Sequence, residues 1–215
     1  MTDRLFDRAP DDAPVVLLAH GAGVGYDSPF MERLAHSLNT HGVTVVRFEF
    51  PYMQKRRLDG RKRPPDRQTV LLEHFEGLVR ECRQEIGDQR TLVVGGKSMG
   101  GRMASLLAVA PGAADQIQGV ACFGYPFHPP GKPDRWRTAH FSELAVPLAV
   151  FQGTRDPFGK PEELEGHGPL PPAVRLHWLE GGNHDLRPMK KQGLAEDALI
   201  DESARLAADF AHALG

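Results

Sequence analysis

The stretch Thr91–Arg102, TLVVGGKSMGGR, constrains this chain more than any other. Leu92, Val93 and Val94 form an apolar run, rich in β-branched residues, that ends in Gly95 and Gly96. Such a run bounded by turn residues predicts a strand buried on both faces. Ser98 follows, then Gly100 and Gly101, and then Met103, Leu106, Leu107 and Val109 at helical spacing. The unit is strand, sharp turn, helix, with Ser98 at the apex. Gly96-Lys97-Ser98-Met99-Gly100 fits G-x-S-x-G, a turn that lifts a serine hydroxyl above the end of a sheet. The backbone at such a serine is strained. Side chains at positions 96 and 100 would collide with the neighbouring strand or helix.

Gly96-Lys97-Ser98 also matches the end of a phosphate-binding G-x-x-x-x-G-K-[ST] loop. That loop needs glycine at position 91, where Thr91 stands, and loop conformation over 92–95, which has the pattern of a strand. A dinucleotide fingerprint fails in a similar way. Gly21, Gly23 and Gly25 miss the third glycine of G-x-G-x-x-G, whose place falls on Tyr26, and the basic Arg47 stands where a ribose-binding acid is expected.

The length of 215 residues suits one α/β domain spanning 1–215. A formal net charge of −2 gives no global reason to expect nucleic acid or an anionic membrane as partner. Two cysteines, Cys82 and Cys122, are too few for a disulfide framework and fall on apolar positions, as buried reduced thiols do. The opening residues Met1–Leu5 contain no apolar signal core, and no run reaches membrane-spanning length. The expected location is therefore cytoplasmic.

Along the chain, Val15–His20 is a continuous apolar run, and Val43–Phe48 reads as the next strand. Between them Ser28 and Pro29 open a helix whose stripe is Phe30, Leu34 and Leu38, stopped by Gly42. Pro51–Pro65 has the composition of an irregular basic stretch. Asp66–Ile86 carries a helical stripe of Val70, Leu71, Phe75, Leu78, Val79 and Cys82. Strands are expected at Val120–Phe123, Pro147–Gln152 and Val174–Leu179, a Pro-rich loop at 125–140, and a closing helix at Ala195–Leu214. Alternating apolar strands and helices predict a mainly parallel sheet of about six or seven strands covered on both faces, with no large lid.

Ligands of such sheets bind beyond the carboxyl ends of the strands. Those ends carry His20-Gly21-Ala22-Gly23, then Ser98, then Asp156 within Gly153–Gly159, then His184 within Glu180–Asp185. Serine needs a base, and the base needs a partner that fixes its tautomer. His184 can serve as that base and Asp156 as its partner; Asp185 is the competing acid, adjacent to the base itself. The order Ser98, Asp156, His184 is that of the folds built on a nucleophile elbow. The oxyanion hole is expected at the N–H of Met99 and at Ala22 or Gly23. His20 is expected beneath the site as a structural residue, and Lys97 to point away from it, solvated or ion-paired.

These segments, with Phe48–Met53, Gly95–Arg102, Gly124–Lys132 and Gln152–Gly159, resemble the α/β-hydrolase superfamily, and within it the lidless, dienelactone-hydrolase-like branch. They are most similar to a small hydrolase-like family whose eukaryotic relatives include a testis-expressed protein and a subunit of a histone-acetyltransferase complex. The resemblance implies a Ser-His-Asp hydrolase fold. Dienelactone hydrolases proper use cysteine where Ser98 stands, so their substrate does not carry over.

The expected activity is hydrolysis of a small ester or related acyl compound without metal or organic cofactor. His128 and His140 share a loop region but fit no zinc-ligand spacing. Acyl transfer on the same site and a non-catalytic interaction protein are the alternatives, and the oligomeric state stays open. Substrate contacts are expected from Arg56, Arg57, Arg61 and Arg63 on one side, and from Tyr125, His128 and Trp136 on the other.

Overall fold

The computed structural model describes residues 4–215. Residues 1–3, which open the stretch searched for a signal core, lie outside the described residues. The chain alternates strand and helix. β1 (Arg4–Asp7) and β2 (Val15–Ala19) precede α1 (Pro29–Thr40) and β3 (Thr44–Phe48). Then come α2 (Pro51–Asp59), α3 (Gln68–Ile86), β4 (Leu92–Lys97) and α4 (Met99–Leu107). α5 (Ala113–Gln116), β5 (Gly119–Phe123), β6 (Leu148–Gly153), α6 (Pro161–His167), β7 (Val174–Leu179) and α7 (Ala198–His212) complete it.

The sheet has seven strands in the order β1-β3-β2-β4-β5-β6-β7. β1 runs antiparallel to β3, and every other pairing is parallel. β4 lies between β2 and β5, with Leu17 opposite Val94 and Gly95 opposite Ala121. Residues of β2, β3, β4 and β5 are buried throughout, and their sequences are mostly apolar without alternation, Thr44, Arg47 and Lys97 being the polar exceptions. Odd and even positions feed different cores. Leu17, Val46, Val94 and Cys122 pack with α3, α4 and Leu164 of α6. Val16, Val45, Val93 and Ala121 pack with α1 and α7.

β1, α2, α5 and α6 differ from the sequence expectation, and two of them are instructive. β1 was not expected, because its RLFD is too short and mixed to show a period. Pairing with β3, not its own pattern, makes it a strand. Pro51–Pro65 was expected to be irregular, yet Pro51–Asp59 is helix. Pro51 occupies the first turn, where its missing N–H costs nothing, and Gly60 ends the helix at φ 70°. Pro51 is thus a helix start signal, and Pro64 and Pro65 lie beyond the end of the helix. Among the described residues no helix is long and apolar enough to cross a membrane.

Candidate active site

Ser98 sits between β4 and α4 with φ 52° and ψ −112°, a conformation that a side chain strains to hold. Close packing enforces it. A Cβ on Gly96 would lie 2.6 Å from the Ala19 carbonyl oxygen, and one on Gly100 2.6 Å from those of Ala19 and His20. Both glycines are required by backbone, which has no rotamer to yield. The N–H of Ser98 donates to Phe123 O of β5 at 3.0 Å, which fixes the apex against the next strand.

His184 comes from the loop after β7. Its Nε2 is 2.9 Å from Ser98 Oγ, and its Nδ1 is 2.8 Å from Asp156 Oδ2. Asp156, from the turn after β6, is fully buried. Its Oδ1 accepts the Phe158 N–H at 2.9 Å, and its Oδ2 also accepts from Gln152 Nε2 at 3.0 Å. Both carboxylate oxygens are therefore satisfied, as a buried charge requires. The carboxylate holds the proton on Nδ1, which leaves Nε2 free to accept from the serine. Asp185 faces outward, its side chain 61% exposed, and makes no bond to the imidazole. The Phe158 ring lies 4.3 Å from that of His184.

The turn after β2 is braced from three sides. His20 is fully buried; its Nε2 accepts the Phe50 N–H at 3.1 Å and its Nδ1 is 2.6 Å from Gly21 O. That pattern assigns the proton to Nδ1. Burial holds this ring below the usual histidine range. Tyr52 Oη donates to Ala22 O at 2.9 Å, and Arg56 Nη1 to Gly23 O at 2.8 Å. With these carbonyls bound, the N–H groups of Ala22, Gly23 and Met99 have no acceptor among the described residues.

The expected substrate contacts fare differently. Arg56 is committed to the Gly23 carbonyl. Arg57 pairs with the buried carboxylate of Glu49 at 2.6 Å and with Asp27 at 3.0 Å. Arg63 pairs with Asp59 and holds that carboxyl down at about 2. Arg61 is exposed, beyond the end of α2. Arg56 and Arg57 do line a surface cavity of about 410 Å³ that opens beside Val24 and Met53.

On the other side the expectation is corrected. Tyr125 is fully buried, donates through Oη to Arg137 O at 2.9 Å, and packs on Phe127 and Phe141. His128 is 1% exposed, with Nε2 3.2 Å from Glu163 Oε2. Trp136 stacks on His167 at 3.8 Å. Tyr125 and His128 are buried and fasten the 125–140 loop to its surroundings, while Trp136 is half-buried and lines a surface cavity of about 380 Å³ with Pro129, Arg135 and Arg137.

Two residues beside Asp156 carried no signal of their own in the sequence. Gln152 and Phe158 bond Asp156, and their only signal was closeness to it. Lys97 was expected to point away, solvated or ion-paired. It is ion-paired, with Asp185 at 3.4 Å, but buried, and its Nζ donates to His184 O at 2.6 Å.

Solved structures share this architecture. Dienelactone hydrolase from Anabaena variabilis superposes with a TM-score of 0.71 at 20% identity, over 94% of this chain and 86% of its own. Est1E from Butyrivibrio proteoclasticus gives 0.73 at 14%, over 98% and 95%. XC6422 from Xanthomonas campestris, described as an α/β serine hydrolase without lid, gives 0.62 at 19%, over 95% and 88%. A family model described as Alpha/beta hydrolase domain matches residues 12–212, and the chain belongs to that family.

Proposed function

We propose that this protein is a serine hydrolase that cleaves a small ester or related acyl compound. The observation that carries the reading is the relay from Ser98 Oγ to His184 Nε2 at 2.9 Å and from His184 Nδ1 to Asp156 Oδ2 at 2.8 Å. Ser98 Oγ attacks the acyl carbon while its proton passes to Nε2. The carbonyl oxygen takes up the electron pair and is held by the N–H of Met99 and of Ala22 or Gly23. As the intermediate collapses, the bond to the alcohol oxygen breaks and the alcohol leaves with the proton from Nε2. Water then loses a proton to the same nitrogen and attacks the acyl-enzyme. Ser98 is regenerated and the acid released.

Water as the acceptor, and a carboxylic ester as the substrate, are part of this proposal. So is the narrower kinship with the small hydrolase-like family, which rests on the motifs. Est1E has been solved with ferulic acid bound, which makes small aromatic esters a sensible start for a substrate panel. The test is labelling by a fluorophosphonate probe, followed by that panel. Wild-type protein is expected to label at Ser98 and to turn over at least one ester. Ser98→Ala is expected to lose both, with kcat down by about 10⁴- to 10⁶-fold. Labelling that persists in the alanine variant would reassign the nucleophile.

A further inference from the structure

Lys97 is the last residue of β4, in register with Phe123 and one position before Ser98. Its side chain is only 7% exposed. Nζ is 2.6 Å from the His184 carbonyl oxygen, 3.4 Å from Asp185 Oδ1 and 5.2 Å from the centre of the Phe30 ring on α1. The slot it fills depends on Gly124. That residue has φ 65°, and a Cβ there would lie 2.8 Å from His184 O and 3.1 Å from Lys97 Nζ. The groups around the ammonium are electron-rich: a carbonyl, the Asp185 carboxylate and an aromatic ring, with the Asp156 carboxylate also acting on it. Burial lowers the proton affinity of this lysine, and the two carboxylates oppose that effect.

We propose that Lys97 is a positioning residue for the base: one buried ammonium clamps the backbone of His184 and the side chain of Asp185 to the strand that carries the nucleophile. The inference deepens the serine-hydrolase reading and rests on it. The other bonds of the histidine loop are of a different kind. Asn183 N–H donates to Arg187 O, Leu186 N–H to Asn183 O, and the Asn183 side chain accepts from Asp185 and Arg187 N–H. Those bonds set the shape of the loop. Arg155 N–H, donating to Gly182 O, ties its base to the turn after β6. The bond from Lys97 ties His184 itself to β4, so that base and nucleophile move together. A charge-assisted bond is the strong kind, and the arm of a lysine reaches from a strand end to a neighbouring loop. Positional error of about 1 Å at a reacting group costs on the order of 10²-fold in rate.

The experiment compares Lys97→Met, Lys97→Gln and Lys97→Arg with wild type and Ser98→Ala. The readouts are melting temperature, the rate of fluorophosphonate labelling, and kcat and KM for an activated acetate ester. Lys97→Met is expected to lower kcat and the labelling rate about 10- to 100-fold, with KM within about twofold. Lys97→Gln keeps an N–H donor in nearly the same volume and recovers part of the rate. Lys97→Arg keeps both donor and charge and recovers more of it. Native labelling rates in the Met and Gln variants would overturn the proposal. So would losses that only track the folded fraction, or a failure of both variants to fold, since Lys97 would then be architectural. Absence of labelling in wild type would sink the serine-hydrolase reading and this inference with it. Serine-dependent labelling that ignores Lys97 sinks the inference alone.

Discussion

The elbow and α2 both stand at the carboxyl edge of the sheet and are built in opposite ways. At the elbow the backbone is wedged in place. Glycines at 96 and 100 admit no Cβ, Ser98 is held in a strained conformation, and the nearest cation, Lys97, is buried against a carbonyl. α2 carries Lys55, Arg56 and Arg57, with Arg61 and Arg63 just beyond its end. There Arg57 faces Glu49 and Asp27, Arg63 faces Asp59, and Arg56 holds the Gly23 carbonyl. A charge counted in a sequence is therefore not a field at a site. A desolvated lysine held on a carbonyl and surface arginines that have found their carboxylates are different electrostatic objects.

That contrast can be broken or sharpened by measurement. The largest effect is expected from the acid behind the base. Asp156→Asn should lower kcat by about 10⁴-fold with little change in fold, because the amide favours the wrong imidazole tautomer. Asp185→Asn, exposed and off the ring, should cost less than about tenfold in the same assay. The opposite ranking would move the acid role to Asp185.

Next come glycines at the two regions. Gly100→Ala places a Cβ 2.6 Å from two carbonyl oxygens. It is expected to lower stability by about 3 kcal/mol or more and to abolish labelling. Gly60→Ala, at the end of α2, meets no atom within 4 Å and has only its φ of 70° against it. About 1 kcal/mol is expected there, read by denaturant unfolding. Equal losses would mean that the elbow is no more tightly wedged than a helix end.

A smaller effect concerns the basic segment. Replacing Arg56, Arg57, Arg61 and Arg63 by glutamine should change the preference for an anionic over a neutral ester by less than about threefold, at low and at high salt. A large, salt-sensitive loss of the anionic ester would show that the ion pairs open to receive substrate.

The smallest effect lies in the turn between the two regions. The buried ring of His20 is held below its usual value of 6.5. As pH falls below that value, the unfolded chain takes up a proton at His20 that the folded chain refuses, so stability drops. The drop continues until the buried ring itself is protonated, which costs the bond from Phe50 N–H. His20→Gln should flatten part of this acid dependence in thermal melts; an unchanged slope would place the acid-sensitive group elsewhere.

What was legible in the sequence was local or ordinal. Gly96, Ser98 and Gly100 announce the elbow because strand, turn and helix lie within a dozen consecutive residues. Asp156 and His184 were legible through their place at strand ends, since a parallel sheet brings all carboxyl ends to one edge. Buried strands declared themselves by unbroken apolar runs. α2 was hidden by prolines at 51, 64 and 65, whose meaning depends on which side of a helix they fall. Tyr125 and His128 follow a strand end but their side chains are buried, while Trp136 is half-buried and stacks on His167.

The sequence by itself determined the sheet, the elbow and the order of Ser98, Asp156 and His184, because those follow from period, glycine placement and chain order. Only the tertiary structure decided where the charges went. Whether a lysine or arginine is a free field, a surface pair or a buried clamp depends on which oxygen packing brings within about 3 Å of it. Lys97 and Arg57 read alike as letters. Gly124 and the His184 loop make a buried slot for the first, while Glu49 and Asp27 neutralise the second at the surface.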